Sequence, residues 1–183
     1  VDSFEVTLDR GDVGDRVNPE LLGRVFEGVM EPDIRKAAGA YYTPTALVDA
    51  VLRDALASHL APLAGRDEAQ LRASLDRPDP ELRTALQSLT ILDPAVGSGA
   101  FLVGALHLMT GPEADATTVR NVLTRQLFGV DRDPGAVRHA ELRLWLEVLR
   151  AMRGLPVGKV SPLPNLDTTI RAGNALLDPF SGS

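Results

Sequence analysis

The sequence predicts an α/β fold built on a parallel, doubly wound sheet, with a helical lead-in before it. Three observations carry that prediction. Short, apolar, β-tolerant runs occur at residues 89–92, 127–130 and 168–172. Helical stretches separate them: an apolar one at 100–109, a short one at 119–126, and a long one from Asp133-Pro134 to about Arg153. Each short run ends on a turn rich in glycine or acid, namely DPAVGSG, GVDRDP and AGN. Parallel neighbours need crossover connections, and strand–helix–strand alternation supplies them.

The elements follow in order. Residues 1–17 are an acidic, irregular lead-in. Asn18 and Pro19 then read as an N-cap and a first helical residue. The pairs Leu21/Leu22, Val25/Phe26 and Val29/Met30 fall at helical spacing, up to Glu31-Pro32. Residues 1–38 are therefore expected to form a lead-in with one amphipathic helix, and residues 39–183 the main domain. In that domain Thr43 is placed to cap, and Pro44 to start, a helix to about residue 60. Its stripe is Leu47/Val48, Val51/Leu52, Ala55/Leu56 and Leu60. Residues 61–88 are charged and punctuated by proline. They read as a solvated helical insertion with one or two short helices, the second beginning at Asp79-Pro80. Residues 111–118 and 157–167 read as loops. Arg150 and Arg153 sit in the last turn of the long helix, where the helix dipole favours cations.

Composition excludes several classes. The chain has 183 residues and no cysteine, so a disulfide framework and a Cys-based zinc site are both ruled out. His59, His107 and His139 lack the spacing of a metal site, and no metal is expected. No apolar run reaches membrane-spanning length and no signal peptide opens the chain, so a cytoplasmic location is expected. With 19 basic against 25 acidic residues the net charge is −6. A chain that gripped a phosphate backbone unaided would carry a basic face. Any nucleic acid is therefore expected to be held by another region or partner.

The turn at 93–99 carries the chemistry. Gly97 and Gly99 permit a tight turn and close approach to a ligand, and the following helix presents free N–H groups at its start. A dinucleotide fingerprint would need a third glycine where Leu102 stands, and no Gly-Lys-Ser/Thr follows, which removes the P-loop. Asp93, at the strand end, would repel a pyrophosphate but suits an ammonium group. Asp131, ending the next strand, is placed to accept hydrogen bonds from ribose hydroxyls. Asn174, after the third strand, can donate and accept as an adenine edge requires. Ammonium, ribose and adenine together describe S-adenosylmethionine better than NAD. Taken singly, each feature has a plainer reading: a glycine turn, a helix cap at Asp133, a turn asparagine, a packed His107, a core Trp145. Their order at successive strand ends is what points to a site.

In this order, GAYYTP, ILDPAVGSGAFL, LFGVDRDP and IRAGNALL resemble the methyltransferases that modify N6 of adenine in DNA. The likeness is to the branch found in restriction–modification and related phage-defence systems, and it covers roughly residues 18–178. The resemblance implies a Rossmann-like, S-adenosylmethionine-binding fold, here truncated after about three strands. It implies that Tyr42, Thr43 and Pro44 line the methionine end. Asp93, Pro94, Ala95, Gly97, Ser98 and Gly99 would form the turn under methionine and ribose, and Asp131 would hold the ribose hydroxyls. Arg132 would flank the adenine, where the family usually has an apolar residue. Asn174, where the family often has aspartate, would meet the adenine's amino edge, with Ala175 beside the ring.

The family's catalytic signature is an Asn/Asp/Ser-Pro-Pro-Tyr/Phe tetrapeptide that polarises and stacks on a flipped-out adenine. This sequence has no Pro-Pro, and Asp178-Pro179-Phe180 lacks the second proline. No catalytic residue is therefore assigned, and this chain alone is expected to be inactive. The expected partners are DNA, through regions outside this chain, and the rest of the methyltransferase or a partner chain. Self-association through an exposed edge of the first strand is also expected. Two other readings stand beside this one: a non-catalytic cofactor-sensing or assembly module, and a nucleotide-binding oxidoreductase domain.

Overall fold

The computed structural model describes residues 43–152 and 161–177. The expected helix after Asn18-Pro19, Tyr42, Arg153 and Asp178-Pro179-Phe180 lie outside the described residues.

The first helix, α1, spans Thr45–Ala64. Thr43 was expected to cap it with Pro44 as its first residue. Instead Pro44 is itself the N-cap, in an extended conformation with ψ 137°, and no side chain caps the helix. Its carbonyl accepts from Leu47 N and Val48 N, so the chain turns helical one residue later than the Thr-Pro pair implied. The helix also runs past residue 60, through Pro62, and stops at Gly65, whose φ of +60° ends it in the left-handed region.

Helices α2 (Glu68–Ser74) and α3 (Pro80–Ser88) follow. Asp67 and Asp79 cap them by accepting from Gln70 N and Leu82 N. This stretch is helical, as expected, but it is not merely solvated. Leu71, Leu75, Leu82 and Leu86 are buried in one cluster with Leu56, Ala57 and Leu60 of α1. The charges and prolines lie on the outside of a small helical core.

The sheet has three parallel strands in the order β1 (Ile91–Asp93), β2 (Leu127–Asp131) and β3 (Ile170–Ala172). The crossovers are α4 (Ala100–Thr110) with α5 (Ala116–Arg125) between β1 and β2, and α6 (Pro134–Ala151) between β2 and β3. β1 starts two residues later than expected because pairing begins only where Ile91 N meets Gln126 O. β3 is shorter because Thr169 and Ile170 turn back to donate to Leu166 O. α5 starts earlier than expected, since Asp115 caps it by accepting from Thr118 N.

Side chains alternate across a strand, and the register then separates two faces. Leu127, Gly129 and Ile170 lie on one of them. Leu127 and Ile170 join the main core with Leu102, Leu106, Leu123 and Leu144 from α4, α5 and α6. Leu92, Phe128, Val130 and Arg171 lie on the other, and none belongs to that core. Leu92 is 60% exposed. Among the described residues the helical layer covers one face only.

The packing of α3 gives a direct test. Leu86 is 1% exposed, so Leu86→Ala is expected to cost about 2–5 kcal/mol of unfolding free energy in urea titration. A change within ~0.5 kcal/mol, as at a typical surface site, would restore the solvated reading of this segment.

Candidate functional site

The carboxyl ends of the three strands are joined by hydrogen bonds that run from one strand to the next. At the end of β1, Asp93 Oδ1 accepts from Ala95 N at 3.1 Å, which starts the turn. Val96 N then donates to Val130 O of β2 at 2.9 Å, and the Val96 side chain is buried over Gly129. A Cβ on Gly129 would lie 2.8 Å from Val96 Cγ2, so glycine there lets the turn settle onto β2.

Gly97 and Gly99 both have positive φ, +50° and +81°. Gly97 N donates to Asp131 Oδ2 at 2.8 Å, and Gly99 N donates to Val96 O at 2.8 Å. The other oxygen of Asp131, Oδ1, accepts from Asp133 N at 3.0 Å. Gly173 N donates to the Asp131 backbone carbonyl at 2.8 Å, which ties in β3. Asp131 thus holds the turn after β1, the turn after β2 and the end of β3.

The two strand-end acids differ. Both oxygens of Asp131 accept backbone N–H groups. In Asp93 only Oδ1 does, and Oδ2 is buried with no hydrogen-bond partner. Burial pushes the Asp93 carboxyl above the usual carboxylate range; the Ala95 N–H partly offsets this, and the charge of Asp131 adds to the rise. A buried acceptor without a donor is costly, and it marks where a ligand's donor group would be most stabilising. Next to it the N-terminus of α4 carries no side-chain cap, so its first N–H groups face the same turn.

The remaining candidates divide. Asn174 is half-buried after β3, and its Oδ1 accepts from Leu176 N at 3.1 Å. Its second lone pair and its NH2 can still meet a ligand. Pro94, Ala95, Arg132 and Ala175 are exposed around the turns. Thr43, half-buried, and Pro44, exposed, stand at the head of α1. The next residues of α1, Thr45 and Asp49, line a cavity of about 620 Å³ with His107, Thr110, Glu147 and Arg150. That cavity lies at the carboxyl ends of α4 and α6, and none of its lining residues belongs to the strand-end motifs.

Asp133 caps α6, as expected, by accepting from Gly135 N at 2.8 Å. Trp145 packs against the core and donates from Nε1 to Pro164 O at 2.9 Å. His107 was expected to be packed in an apolar run. Its side chain is 48% exposed, with Nε2 2.9 Å from Glu147 Oε2. Among the described residues no cluster of three or more His, Cys, Asp or Glu could hold a metal ion.

One residue at the site escaped sequence reasoning. Arg143 of α6 is buried, and its Nη1 donates to Ser98 O at 3.0 Å and to Ser98 Oγ at 3.2 Å. The available signal was an arginine inside the apolar stripe Val137, Ala140, Leu144, Val148. A charge in that position needs a buried partner.

Comparison with known proteins decides the family. Residues 17–151 match the model of the N-6 DNA methylases. The chain belongs to that family. Among curated proteins it is similar to a putative type II restriction enzyme and methyltransferase of Methanocaldococcus jannaschii. The two are 29% identical, over 95% of this chain and 18% of that relative. This methylase segment therefore spans less than a fifth of the relative it matches. No solved structure matches it. Family membership implies a methyl donor and disfavours the oxidoreductase reading. No helix among the described residues is long and apolar enough to cross a membrane.

The Asp93 environment sets a pH-dependent expectation. Its folded pKa lies above the unfolded value, so its contribution to stability is full below the unfolded value and is lost as pH rises through the folded one. Burial disfavours the ionised form of this carboxyl, so ionising it in the native protein costs stability. Asp93→Asn keeps an acceptor for Ala95 N–H and removes that charge. It is expected to raise the thermal midpoint at pH 7, with the gain shrinking as pH falls through the carboxylate range. A variant less stable than the parent at pH 7 would contradict the assigned burial cost.

Proposed function

We propose that residues 39–183 bind S-adenosylmethionine as the cofactor-holding part of a DNA adenine-N6 methyltransferase of restriction–modification type. The observation that carries this reading is the unpartnered, buried Asp93 Oδ2 beside a glycine turn held by Asp131. A methionine ammonium would donate to that oxygen and carry the charge that offsets it. Asp131 would accept the ribose hydroxyls through its remaining lone pairs while still holding Gly97 N and Asp133 N. Gly97, Ser98 and Gly99 would let the backbone approach the ligand closely. Asn174 would meet the adenine edge, with Arg132 and Ala175 along the ring. Tyr42, Thr43 and Pro44 keep the methionine-end role implied by family likeness. When bound, S-adenosylmethionine supplies an electrophilic methyl group on its sulfonium.

The same reading assigns transfer to adenine elsewhere. The sequence has no Pro-Pro tetrapeptide and a net charge of −6. Base polarisation, base stacking and the grip on DNA would come from other parts of the methyltransferase or from a partner chain, in the cytoplasm where the DNA is. The absent tetrapeptide also keeps a second reading open, a cofactor-sensing or assembly module without catalysis of its own. Mixing the chain with the polypeptide that follows it in its gene, then assaying methyl transfer to DNA, separates the two. Activity restored by mixing supports the first, and binding without any restored transfer supports the second.

Among the described residues β1 pairs on one side only, and that edge with the exposed Leu92 would take a further strand or a second copy of this chain. Light scattering of the isolated chain is expected to show mass rising with concentration, and Leu92→Lys is expected to shift it toward monomer. A concentration-independent monomer would remove self-association from this account.

Calorimetry tests the cofactor itself. S-adenosylhomocysteine is expected to bind and NAD is not. Asp131→Ala is expected to weaken S-adenosylhomocysteine binding by ~1.5–3 kcal/mol, the scale of hydrogen bonds to a charged group. Unchanged affinity would take Asp131 out of the site.

A further inference from the structure

The backbone of the glycine turn is held peptide by peptide, and one peptide depends on a residue 45 positions away. Val96 N is bonded to Val130 O, and Gly97 N to Asp131 Oδ2. The peptide joining Ser98 to Gly99 is held at both ends: Gly99 N donates to Val96 O, and Ser98 O accepts from Arg143 Nη1. Ser98 itself stands between two left-handed glycines, Gly97 and Gly99. Glycine places little steric limit on the rotation of its peptides, so the orientation of the Ser98–Gly99 peptide depends on these two bonds, one from within the turn and one from outside it.

α6 sets it from one face. Ala140 lies against Gly99 so closely that a Cβ there would be 3.1 Å from Ala140 Cβ and 3.2 Å from Ala140 Cα. Arg143, three residues on and therefore on the same face, reaches both the carbonyl and the hydroxyl of Ser98. Arg143 is 7% exposed, and away from water a charged hydrogen bond is stronger than at the surface.

We propose that Arg143 is a positioning residue for the cofactor turn. It fixes the Ser98–Gly99 peptide so that the start of α4 and the Gly97 amide keep the orientation the ligand meets. This rests on the cofactor reading above for its consequence, though not for its geometry. Arg143 touches the turn rather than the ligand, so it acts through Ser98 and Gly99.

The test uses the full chain carrying Arg143→Met, Arg143→Lys, Ser98→Ala and the double variant Arg143→Met/Ser98→Ala. Two readouts are taken: affinity for S-adenosylhomocysteine, and hydrogen exchange of the Gly97 and Gly99 amides. Arg143→Met is expected to weaken binding about 10–100-fold and to speed exchange at both glycine amides, the range of a charged hydrogen bond. Arg143→Lys keeps charge without the guanidinium fork and is expected to recover part of both effects. Ser98→Ala removes only the hydroxyl contact and is expected to weaken binding severalfold, an effect that disappears in the Arg143→Met background. A merely structural Arg143 would lower stability without this coupling to Ser98.

Wild-type affinity with unchanged glycine exchange in Arg143→Met would overturn the proposal, as would additive effects in the double variant. If Arg143→Met does not fold, the Arg143→Lys and Ser98→Ala measurements decide on the same criteria. If the parent chain fails to bind S-adenosylhomocysteine, the cofactor reading fails, and glycine exchange alone still decides what Arg143 holds.

Discussion

The site depends on a single carboxylate. Asp131 ends β2, yet it accepts from Gly97 in the turn after β1 and from Asp133 in the turn after its own strand, and its carbonyl takes Gly173 N after β3. A turn with two left-handed glycines has little intrinsic preference among its conformations. Two amide bonds to a charged acceptor, each worth roughly 1.5–3 kcal/mol, choose one of them. The turn after β1 is thus shaped by the neighbouring strand, and its geometry appears only once the parallel β1–β2 pair has formed.

That arrangement also explains the unequal acids. Two carboxylates at adjacent strand ends repel one another, and amide donors are shared unequally between them. Asp131 takes two side-chain bonds from the backbone and Asp93 takes one. The remaining Asp93 oxygen is buried without a donor, and its carboxyl is pushed up by burial first and by Asp131 in smaller part. A site with an uncompensated acceptor is less stable alone than with a cation-bearing ligand in place. Stability given up at a binding site is a common accompaniment of function. On the proposed cofactor reading, the Asp93 oxygen would be the atom at which that trade-off is made.

What could be read from the sequence was what depends on near neighbours. Asp133 was legible as a cap, and Asp79-Pro80 as a helix start, because a cap acts over two or three residues. The strand-end motifs stood out because turns rich in glycine or acid follow three apolar runs in succession. Residues 61–88 were misjudged because composition outweighed spacing. Leu71, Leu75, Leu82 and Leu86 stand at helical intervals among the charges, and they build a core of their own with α1. Arg143 and Glu147 could not be paired from sequence, since Ser98 and His107 lie 45 and 40 residues away. The start of β1 was likewise set by a distant partner, because Gln126 contacts Leu89 O through its side chain and Ile91 N through its carbonyl.

Among the described residues the sheet is covered on one face, and this separates the geometry of the strand-end turns from stability. Parallel sheets normally bury both faces, but here Leu92, Phe128 and Val130 lie outside the core, and Leu176 and Leu177 just beyond β3 are 93% and 69% exposed. The hydrogen bonds that join the strand-end turns run among the turn after β1, β2, β3 and α6. A second layer on the face that the described helices leave uncovered would therefore add buried apolar area without redrawing those turns. That division lets the geometry of the strand-end turns be specified within a short segment, independently of what packs against the other face.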